Sequence, residues 1–176
     1  MNIIGDNVII RAIEKDDLKS IQIMTNDPYT DSMIVGYSTP AAYQNQEDWY
    51  QRIVSDRNNL RLAIEFEGKF VGLITLTSID WKNRKADHGI RLMPDAPKRK
   101  GIAYDAVNAL VSYAFNELNL NKVYTTILDY NTPSFNLYKK GGWKEEGLLR
   151  QSIYKKGEYH DLHCISILKE EFDLKD

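Results

Sequence analysis

A change from strand-like to helix-like periodicity near residue 100 constrains the fold more than any other feature of this sequence. Segments 60–66 and 70–80 are rich in β-branched and apolar residues and are joined by a short Gly-containing turn, and segment 84–93 continues the meander after a polar turn. They predict three consecutive antiparallel strands. Beyond residue 100, apolar residues recur at helical spacing, at Ile102, Ala106, Val107, Leu110, Val111, Ala114, Phe115 and Leu118. A strand meander followed by one long amphipathic helix indicates a sheet packed against that helix.

The remaining segments extend this sheet. Segment 7–13 is strand-like, segments 14–27 and 45–57 follow a helical pattern, and the small and polar residues between Pro28 and Pro40 predict a loop. Another strand, a short helix and two final strands follow at 122–129, 132–140 and 143–168. The predicted fold class is α/β of the α+β type, with a mixed, mostly antiparallel sheet of six to seven strands and about four helices.

The size and charge of the chain exclude several classes of function. A chain of 176 residues predicts a single domain over 1–176 that buries about two thirds of its unfolded surface. Its net charge is −2, from 23 basic and 25 acidic residues that are well mixed along the sequence. This balance disfavours nucleic acid or a membrane surface as the main partner. A small-molecule or local partner is therefore expected.

The cysteine content and the apolar runs predict a cytoplasmic protein. Cys164 is the only cysteine, which excludes an internal disulfide and fits a reducing compartment. The first residues lack the basic start and unbroken apolar centre of a signal peptide. Apolar runs such as that at 71–76 are far shorter than the roughly 20 residues that cross a bilayer.

A basic loop before the long helix is a candidate phosphate-binding site. Lys98, Arg99, Lys100 and Gly101 follow a predicted strand and open the helix. Free backbone N–H groups at a helix N-terminus, its positive dipole end and basic side chains favour a pyrophosphate. An exposed glycine turn beside a solvated basic cluster is the alternative interpretation. Neither the Walker spacing nor the dinucleotide Gly-x-Gly-x-x-Gly pattern is present.

The segment from Asn131 to Trp143 predicts a short helix with strong end signals. Thr132 is a candidate N-cap, Pro133 suits the first helical position, and Gly141 is a candidate for the left-handed residue that ends the helix. Ser134 and Tyr138 are one turn apart and therefore share a face. A half-buried tyrosine with a solvated hydroxyl is the ordinary structural explanation of such a residue.

These two motifs resemble the GCN5-related N-acetyltransferase (GNAT) superfamily. Residues 98–103 resemble its Gln/Arg-x-x-Gly-x-Gly/Ala signature, with lysine in place of the first residue, and residues 131–143 match its later helix motif. Residues 145–147 and 154–168 resemble the subgroup of ribosomal-protein alanine acetyltransferases and spermidine acetyltransferases. The resemblance covers nearly the whole chain. It implies the GNAT fold, with a sheet that splays between its fourth and fifth strands, here 87–93 and 122–128.

The resemblance also implies a cofactor and its site. Acetyl-CoA would bind with its pyrophosphate on Lys98, Arg99, Lys100, Gly101, Ile102, Ala103 and Tyr104. The pantetheine arm would pair with the splayed strand end at Arg91, Leu92 and Met93, and the thioester would lie in the gap. Asn131 would brace the pantetheine or its loop, and Ser134 would lie beside the cofactor.

Catalytic roles follow from the resemblance and from the needs of acetyl transfer to an amine. Tyr138 would be the general acid for the leaving thiolate. Asp87 and His88 are the candidate general bases; adjacent strand residues face opposite ways, so only one of them should face the substrate, and an ordered water is a further candidate. Cys164 lies outside both motifs, which disfavours a thiol nucleophile.

A zinc site at residues 160–164 is disfavoured. His160, Asp161, His163 and Cys164 are potential ligands, but on a strand the two histidines face opposite sides, which is poor chelate geometry. No metal is therefore expected.

The acceptor remains open among a polyamine, a peptide N-terminus and another small amine. The third predicted strand offers Thr75, Thr77 and Ser78 where carboxylates would favour a polycation, whereas Asp27, Asp31, Glu47 and Asp48 could form an acidic rim. A non-catalytic acyl-CoA-binding or sensor protein with the same fold is the alternative function. The resemblance also implies a homodimer.

Overall fold

The computed structural model describes residues 1–36, 39–56 and 58–173. In this part, the chain forms eight strands, six α-helices and one 3₁₀ turn. In chain order they are β1 (Ile3–Ile4), β2 (Val8–Ala12), the 3₁₀ turn (Lys15–Asp17), α1 (Leu18–Thr25), α2 (Pro28–Met33), α3 (Tyr43–Val54), β3 (Leu60–Phe66), β4 (Lys69–Asp80), β5 (Lys85–Leu92), α4 (Ile102–Asn116), β6 (Lys122–Leu128), α5 (Thr132–Lys140), β7 (Lys144–Lys155), β8 (Glu158–Leu168) and α6 (Lys169–Asp173). None of the described helices has the length and apolarity needed to cross a membrane.

All eight strands belong to one sheet, in the order β1-β2-β3-β4-β5-β6-β8-β7. Neighbouring strands are antiparallel except β5 and β6, which are parallel. These two pair only over residues 85–87 and 122–124, and then separate. The predicted fold class and the predicted splay are confirmed, and the strand count exceeds the prediction because two N-terminal residues add β1.

Helices cover both faces of the sheet. The apolar side of α4 packs on one face, where the buried side chains are Ile10, Ile64, Ile74, Leu76, Ala86, Val123 and Ile127. Across the sheet, Leu18 and Ile21 of α1 pack on Ala63 together with Trp49 and Ile53 of α3. Burial of such side chains stabilises a fold by roughly 1.5–3 kcal/mol each. The separation of β5 and β6 therefore opens between two helical layers.

A short helix, α2, lies where the sequence predicted only a loop. Asp27 caps it by accepting a hydrogen bond from the amide of Thr30 at 2.6 Å, and Pro28 occupies its first turn. Six residues are too few for an isolated helix to be stable in water. Its presence depends on contacts with distant residues, and the loop prediction was wrong for this part of 28–40; residues 37–38 lie outside the described part.

The ends of α5 differ in detail from the prediction. Asn131, not Thr132, is the N-cap, and its side-chain oxygen accepts a hydrogen bond from the Ser134 amide at 3.2 Å. The left-handed residue is Gly142 (φ 75°), whereas Gly141 has φ −73°. A Cβ at Gly141 would lie only 3.2 Å from the Trp143 ring, so this glycine permits the ring to pack closely against the helix end.

Candidate active site

Two adjoining clefts open where β5 and β6 separate. We call the one beside the start of α4 the basic cleft and the one between the two helical layers the central cleft; their volumes are about 660 and 640 Å³. All predicted cofactor-binding residues line the basic cleft: Arg91, Leu92, Met93, Lys98, Arg99, Lys100, Gly101, Ile102, Ala103, Tyr104, Asn131 and Ser134. All predicted catalytic residues line the central cleft: Tyr138, Asp87 and His88. Residues common to both clefts join them: Met33, Ile34, Ile90, Arg91, Asn131 and Ser134.

The basic cleft has the properties of an anion site. Gly101 is the N-cap of α4 in the left-handed region (φ 75°), and Arg99 (φ 60°) also adopts it, so the loop turns sharply before the helix. The first amides of α4 have no acceptor within the helix, and they form the positive end of its dipole. Asp105 is the one acid in the first turn, and its carboxylate accepts hydrogen bonds from the amides of residues 6–8 at 2.6–3.0 Å.

The separated part of β5 presents an unpaired strand edge to the gap. After Asp87, β5 stays hydrogen-bonded to β4 on its other side, and the Met93 amide still donates to the Val71 carbonyl at 2.8 Å. Strand β6 continues to pair with β8. The β5 edge can therefore pair with an extended chain that carries amide groups, such as a pantetheine arm.

Tyr138 is buried but reaches the central cleft. Its side chain is 4% exposed, and its ring contacts Trp143 and His88 at centroid distances of 4.8 and 5.8 Å. Its hydroxyl makes no hydrogen bond with any residue that the structure describes. Burial, and to a lesser extent the Asp87 carboxylate, raise the pKa of this phenol. The hydroxyl is therefore protonated at neutral pH and can donate.

Asp87 and His88 lie on opposite faces of β5, as strand alternation requires. Both nevertheless line the central cleft, because the sheet is open beside them. Which of the two faces the acceptor stays a prediction. Asp87 lies on the side of α1 and α3, and burial raises the pKa of its carboxyl.

His88 is held in its neutral form. It is 2% exposed, and Nδ1 lies 3.1 Å from the Thr75 carbonyl, which can only accept, so Nδ1 carries the proton. Nε2 is buried with no hydrogen-bond partner in the described part of the chain. Burial lowers the pKa of His88 to about 4. An imidazole with this pKa is a weak base at neutral pH.

A set of three hydrogen bonds fixes the wall that the two clefts share. The last three carbonyl groups of α2 accept side-chain hydrogen bonds: Asp31 from Lys155 Nζ at 2.7 Å, Ser32 from Tyr130 Oη at 2.5 Å, and Met33 from Asn131 Nδ2 at 2.8 Å. We call Lys155, Tyr130 and Asn131 the α2 latch. Met33 and Ile34 line both clefts, so the latch holds a wall of each. Apart from the motif that contains Asn131, no sequence pattern predicts these contacts.

The predicted acidic rim does not lie in the central cleft. Asp27, Asp31, Glu47 and Asp48 are absent from its lining; Asp27 caps α2, and Lys155 Nζ lies 3.4 Å from the Asp31 carboxylate. Instead, two arginines that sequence analysis did not assign to acceptor binding, Arg61 and Arg91, line this cleft. Their convergence depends on strand register, which no local motif shows.

The histidines of segment 160–164 make other contacts. His160 Nδ1 lies 3.4 Å from Asp129 and His163 Nδ1 lies 2.6 Å from Glu145. Within residues 1–36, 39–56 and 58–173, no group of three or more His, Cys, Asp or Glu side chains is arranged to hold a metal ion.

Comparison with known proteins identifies the class. The sequence profile described as "Acetyltransferase (GNAT) domain" matches residues 7–144, so the chain belongs to the GNAT acetyltransferase family. The resemblance noted in the sequence is thereby confirmed. The chain is an acetyl-CoA-dependent N-acetyltransferase.

Individual relatives match over nearly the full length. The chain is 31% identical over 174 residues to the SPbeta prophage-derived uncharacterized N-acetyltransferase YokL of Bacillus subtilis, covering 97% of this chain and 94% of that protein. It is 28% identical over 170 residues to spermidine N(1)-acetyltransferase of Vibrio cholerae, covering 96% of each. The crystal structure of the V. cholerae spermidine N-acetyltransferase in complex with CoA and spermine is similar with a TM-score of 0.88 at 27% identity, covering 96% of this chain and 99% of that one.

Proposed function

We propose that the enzyme transfers the acetyl group directly to a primary amine, with Tyr138 as general acid and Asp87 as general base. One observation carries this proposal. The Tyr138 hydroxyl, without a hydrogen-bond partner in the described part of the chain, lines the same cleft as the Asp87 carboxyl, at the point where the sheet opens. The spare phenol proton and the half-buried carboxyl are the acid and the base that this reaction needs.

The basic cleft is the proposed seat of acetyl-CoA. The amides of Ile102, Ala103 and Tyr104 and the side chains of Lys98 and Lys100 would hold its phosphates, and the β5 edge at 91–93 would pair with its pantetheine arm. Asn131 would act mainly by fixing Met33, which lies beside both clefts. Acetyl-CoA supplies an activated acetyl group and a sulfur leaving atom.

Asp87 is the proposed acceptor of the amine proton. Its carboxyl lies in the central cleft, and burial raises its pKa, which makes it a better base than an ordinary aspartate. His88 is the weaker candidate, because its pKa is lowered to about 4 and its Nδ1 proton is engaged by Thr75. We propose that His88 instead packs against the Tyr138 ring and positions it.

The acid and the base are coupled through their charges. The Asp87 carboxylate contributes to the raised pKa of Tyr138. When Asp87 takes up the amine proton, it loses this charge, and the phenol becomes a stronger acid. Tyr138 Oη then donates more readily to the leaving sulfur. Proton uptake at Asp87 thus promotes proton donation by Tyr138 within one turnover.

A non-catalytic acyl-CoA sensor is the second candidate function. A sensor needs the basic cleft but has no need for a phenol hydroxyl in the central cleft. The presence of Tyr138 there, together with Asp87, favours turnover. The two functions separate in a single assay, since a sensor would bind acetyl-CoA without cleaving it in the presence of amines.

We also propose a cytoplasmic homodimer. The single cysteine fits a reducing compartment. Strand β7 forms one edge of the sheet in the described part of the chain, and Leu148, Leu149, Tyr154 and Tyr159 on β7 and β8 are 46–64% exposed. A second copy of the chain would cover these apolar side chains.

The test of the proposed function is acetyl-CoA cleavage, measured as thiol release, in the presence of primary amines. Wild-type protein should release CoA only when an amine is added. Lys98→Glu with Lys100→Glu should raise the KM for acetyl-CoA at least about tenfold, because two anions replace cations beside the phosphates. Lys19→Glu with Lys82→Glu is the control, since these exposed lysines line neither cleft and change the net charge equally.

Two results would contradict the proposal. Binding of acetyl-CoA without amine-dependent cleavage would favour the sensor. An equal change of KM in the two double variants would mean that the basic cleft does not hold the phosphates.

A further inference from the structure

The central cleft contains more positive than negative charge. Among the described residues that line it, the side chains that bear a charge in their ordinary state at neutral pH are Arg61, Asp87 and Arg91. A polycation in this cleft would meet two guanidinium groups and one carboxyl. The cleft is therefore electrostatically suited to a different kind of acceptor.

Among the residues that the structure describes, none accepts a hydrogen bond from the Arg91 side chain. Its side chain is half-buried, and burial lowers the pKa of the guanidinium. The charge of Asp31 offsets this effect only in part, and the Asp31 carboxylate also lies 3.4 Å from Lys155 Nζ. In the described part of the chain, Arg91 makes no hydrogen bond or ion pair. A partly desolvated guanidinium whose donors have no acceptor among the described residues favours an anionic oxygen group as its partner.

Arg61 lies on the same face of the sheet as Arg91, and one hydrogen-bonded ion pair with Asp56 holds its guanidinium. Its Nη1 donates to Asp56 at 2.9 Å, and no other hydrogen bond of its guanidinium involves a described residue. Arg61 pairs with Thr75, which pairs with Gly89, and Arg91 follows two residues later on β5. Two strand spacings and two residues of rise separate the Cα atoms of the two arginines by about 12 Å.

The sheet surface between the two arginines, which we call the floor of the cleft, carries only small, uncharged side chains. Thr75 and Gly89 form it, and a Cβ at Gly89 would lie 3.1 Å from the Thr75 hydroxyl oxygen. Asp87 lies at the other end of this row of β5 residues, four positions before Arg91. Arg61 is level with Gly89, two strands away, and therefore lies midway along the row between Asp87 and Arg91. A small molecule that lies on this floor can thus reach Asp87 at one end of the row, Arg91 at the other end and Arg61 from the side.

We propose that the acceptor is a small primary amine that also carries an anionic oxygen group, a carboxylate or a phosphate, bound by Arg61 and Arg91 with its amine beside Asp87. This inference rests on the proposed acetyl transfer and adds the class of acceptor. It predicts discrimination against polyamines, although the relatives include spermidine acetyltransferases. The two arginines are specificity-determining residues, not catalytic ones.

The experiment compares matched pairs of amines in the thiol-release assay. The pairs are alanine with alaninamide, glucosamine 6-phosphate with glucosamine, and phosphoethanolamine with ethanolamine; spermidine is tested beside them. At least one anionic amine should exceed its neutral counterpart, and spermidine, by about tenfold or more in kcat/KM, the scale of a charge-assisted hydrogen bond. The pair with the larger ratio tells whether the anion is a carboxylate or a phosphate.

Variants test whether the arginines cause this preference. Arg61→Met and Arg91→Met should each reduce the ratio for the preferred pair several-fold, whereas Arg52→Met, which removes an exposed guanidinium on α3, should leave it unchanged. The ratio compares two acceptors on the same protein sample, so partial loss of folded enzyme cancels. A ratio retained in both cleft variants would overturn the assignment, and a higher KM for acetyl-CoA with an unchanged ratio would place Arg91 in the cofactor site.

Failure of this inference differs from failure of the proposed function. If neutral amines or spermidine are turned over as well as the anionic amines, the inference is wrong while acetyl transfer stands. If acetyl-CoA raises the melting temperature but no amine causes thiol release, the proposed function is wrong and the inference falls with it.

Discussion

His88 shows how burial sets the chemistry of a single residue in this enzyme. The folded protein holds its pKa at about 4, well below the ordinary value of 6.5, because the imidazole is buried beside Tyr138 and Trp143. A group whose folded pKa is lowered stabilises the fold above its unfolded pKa, and this contribution is lost as the pH falls through the folded pKa. The relevant window therefore lies between about pH 6.5 and pH 4.

Replacement of His88 should remove this pH dependence. From the two pKa values, His88 makes wild-type protein lose about 3 kcal/mol of unfolding free energy between pH 7 and pH 4. His88→Phe keeps an aromatic ring but has no proton to bind. Denaturant unfolding at pH 7, 5.5 and 4 gives the difference in unfolding free energy between wild type and variant at each pH. The contributions of the other titrating groups are common to both proteins and cancel in this difference. Identical pH profiles would show that His88 does not titrate as the structure implies.

At the scale of elements, α2 depends on the rest of the molecule more than on its own sequence. Its last three carbonyl groups accept hydrogen bonds from Lys155, Tyr130 and Asn131, which come from β7 and the β6–α5 junction. Lys155 is only 8% exposed, so its ammonium has little water to replace a lost partner. The latch thus couples distant parts of the chain to the wall shared by both clefts.

Loss of the latch should weaken binding in both clefts. Lys155→Met removes one charged hydrogen bond, worth about 1.5–3 kcal/mol, from the end of α2. We expect the KM values for acetyl-CoA and for the amine both to rise several-fold, with a smaller change in kcat, because the chemical groups stay in place. Steady-state kinetics measure the KM values and kcat separately. Lys155→Arg keeps the positive charge and should restore part of the wild-type KM values. Lys69→Met, which changes an exposed lysine, is the control. Unchanged KM values would mean that the wall does not depend on Lys155.

The sequence predicted those elements whose stability is local or strongly periodic. The apolar spacing predicted helix α4, and the turn residues predicted the β3–β4 hairpin. Because the helix start was predicted, the basic residues before it could be recognised as a candidate phosphate-binding site. Helix α2 could not be predicted, because long-range hydrogen bonds hold its end. The cap of α5 was misassigned to Thr132 because Thr132 and Asn131 are both good N-caps and only the backbone conformation distinguishes them.

Strand order in the sheet decides which distant residues of this protein meet. Arg61 and Arg91 are 30 positions apart, and only the register through Thr75 and Gly89 places them over one floor. The acidic residues proposed for the same region, Asp27, Asp31, Glu47 and Asp48, belong to α2 and α3 or their ends and do not line this cleft. The components of the basic cleft are contiguous in sequence and could be predicted, whereas the acceptor side of the central cleft is assembled from separate strands and helices and could not.

The proposed dimer is a second property of the whole molecule. If a second copy covers the exposed side chains of β7 and β8, sedimentation at micromolar concentration should show twice the mass of 20.4 kDa. Leu148→Glu with Leu149→Glu would place two charges in the interface and should give monomer. A wild-type protein that sediments only as monomer would remove this proposal, without consequence for the catalytic one.

Proton donation by Tyr138 during acetyl transfer can be tested with the variant Tyr138→Phe. This change removes one hydroxyl and keeps the ring that packs on His88 and Trp143. With an acceptor that the enzyme turns over, and under conditions where chemistry limits the rate, kcat and kcat/KM should both fall by about 100-fold or more, the scale of general-acid catalysis. Acetyl-CoA affinity and thermal stability should change little. A Phe variant with wild-type kcat under these conditions would contradict the account.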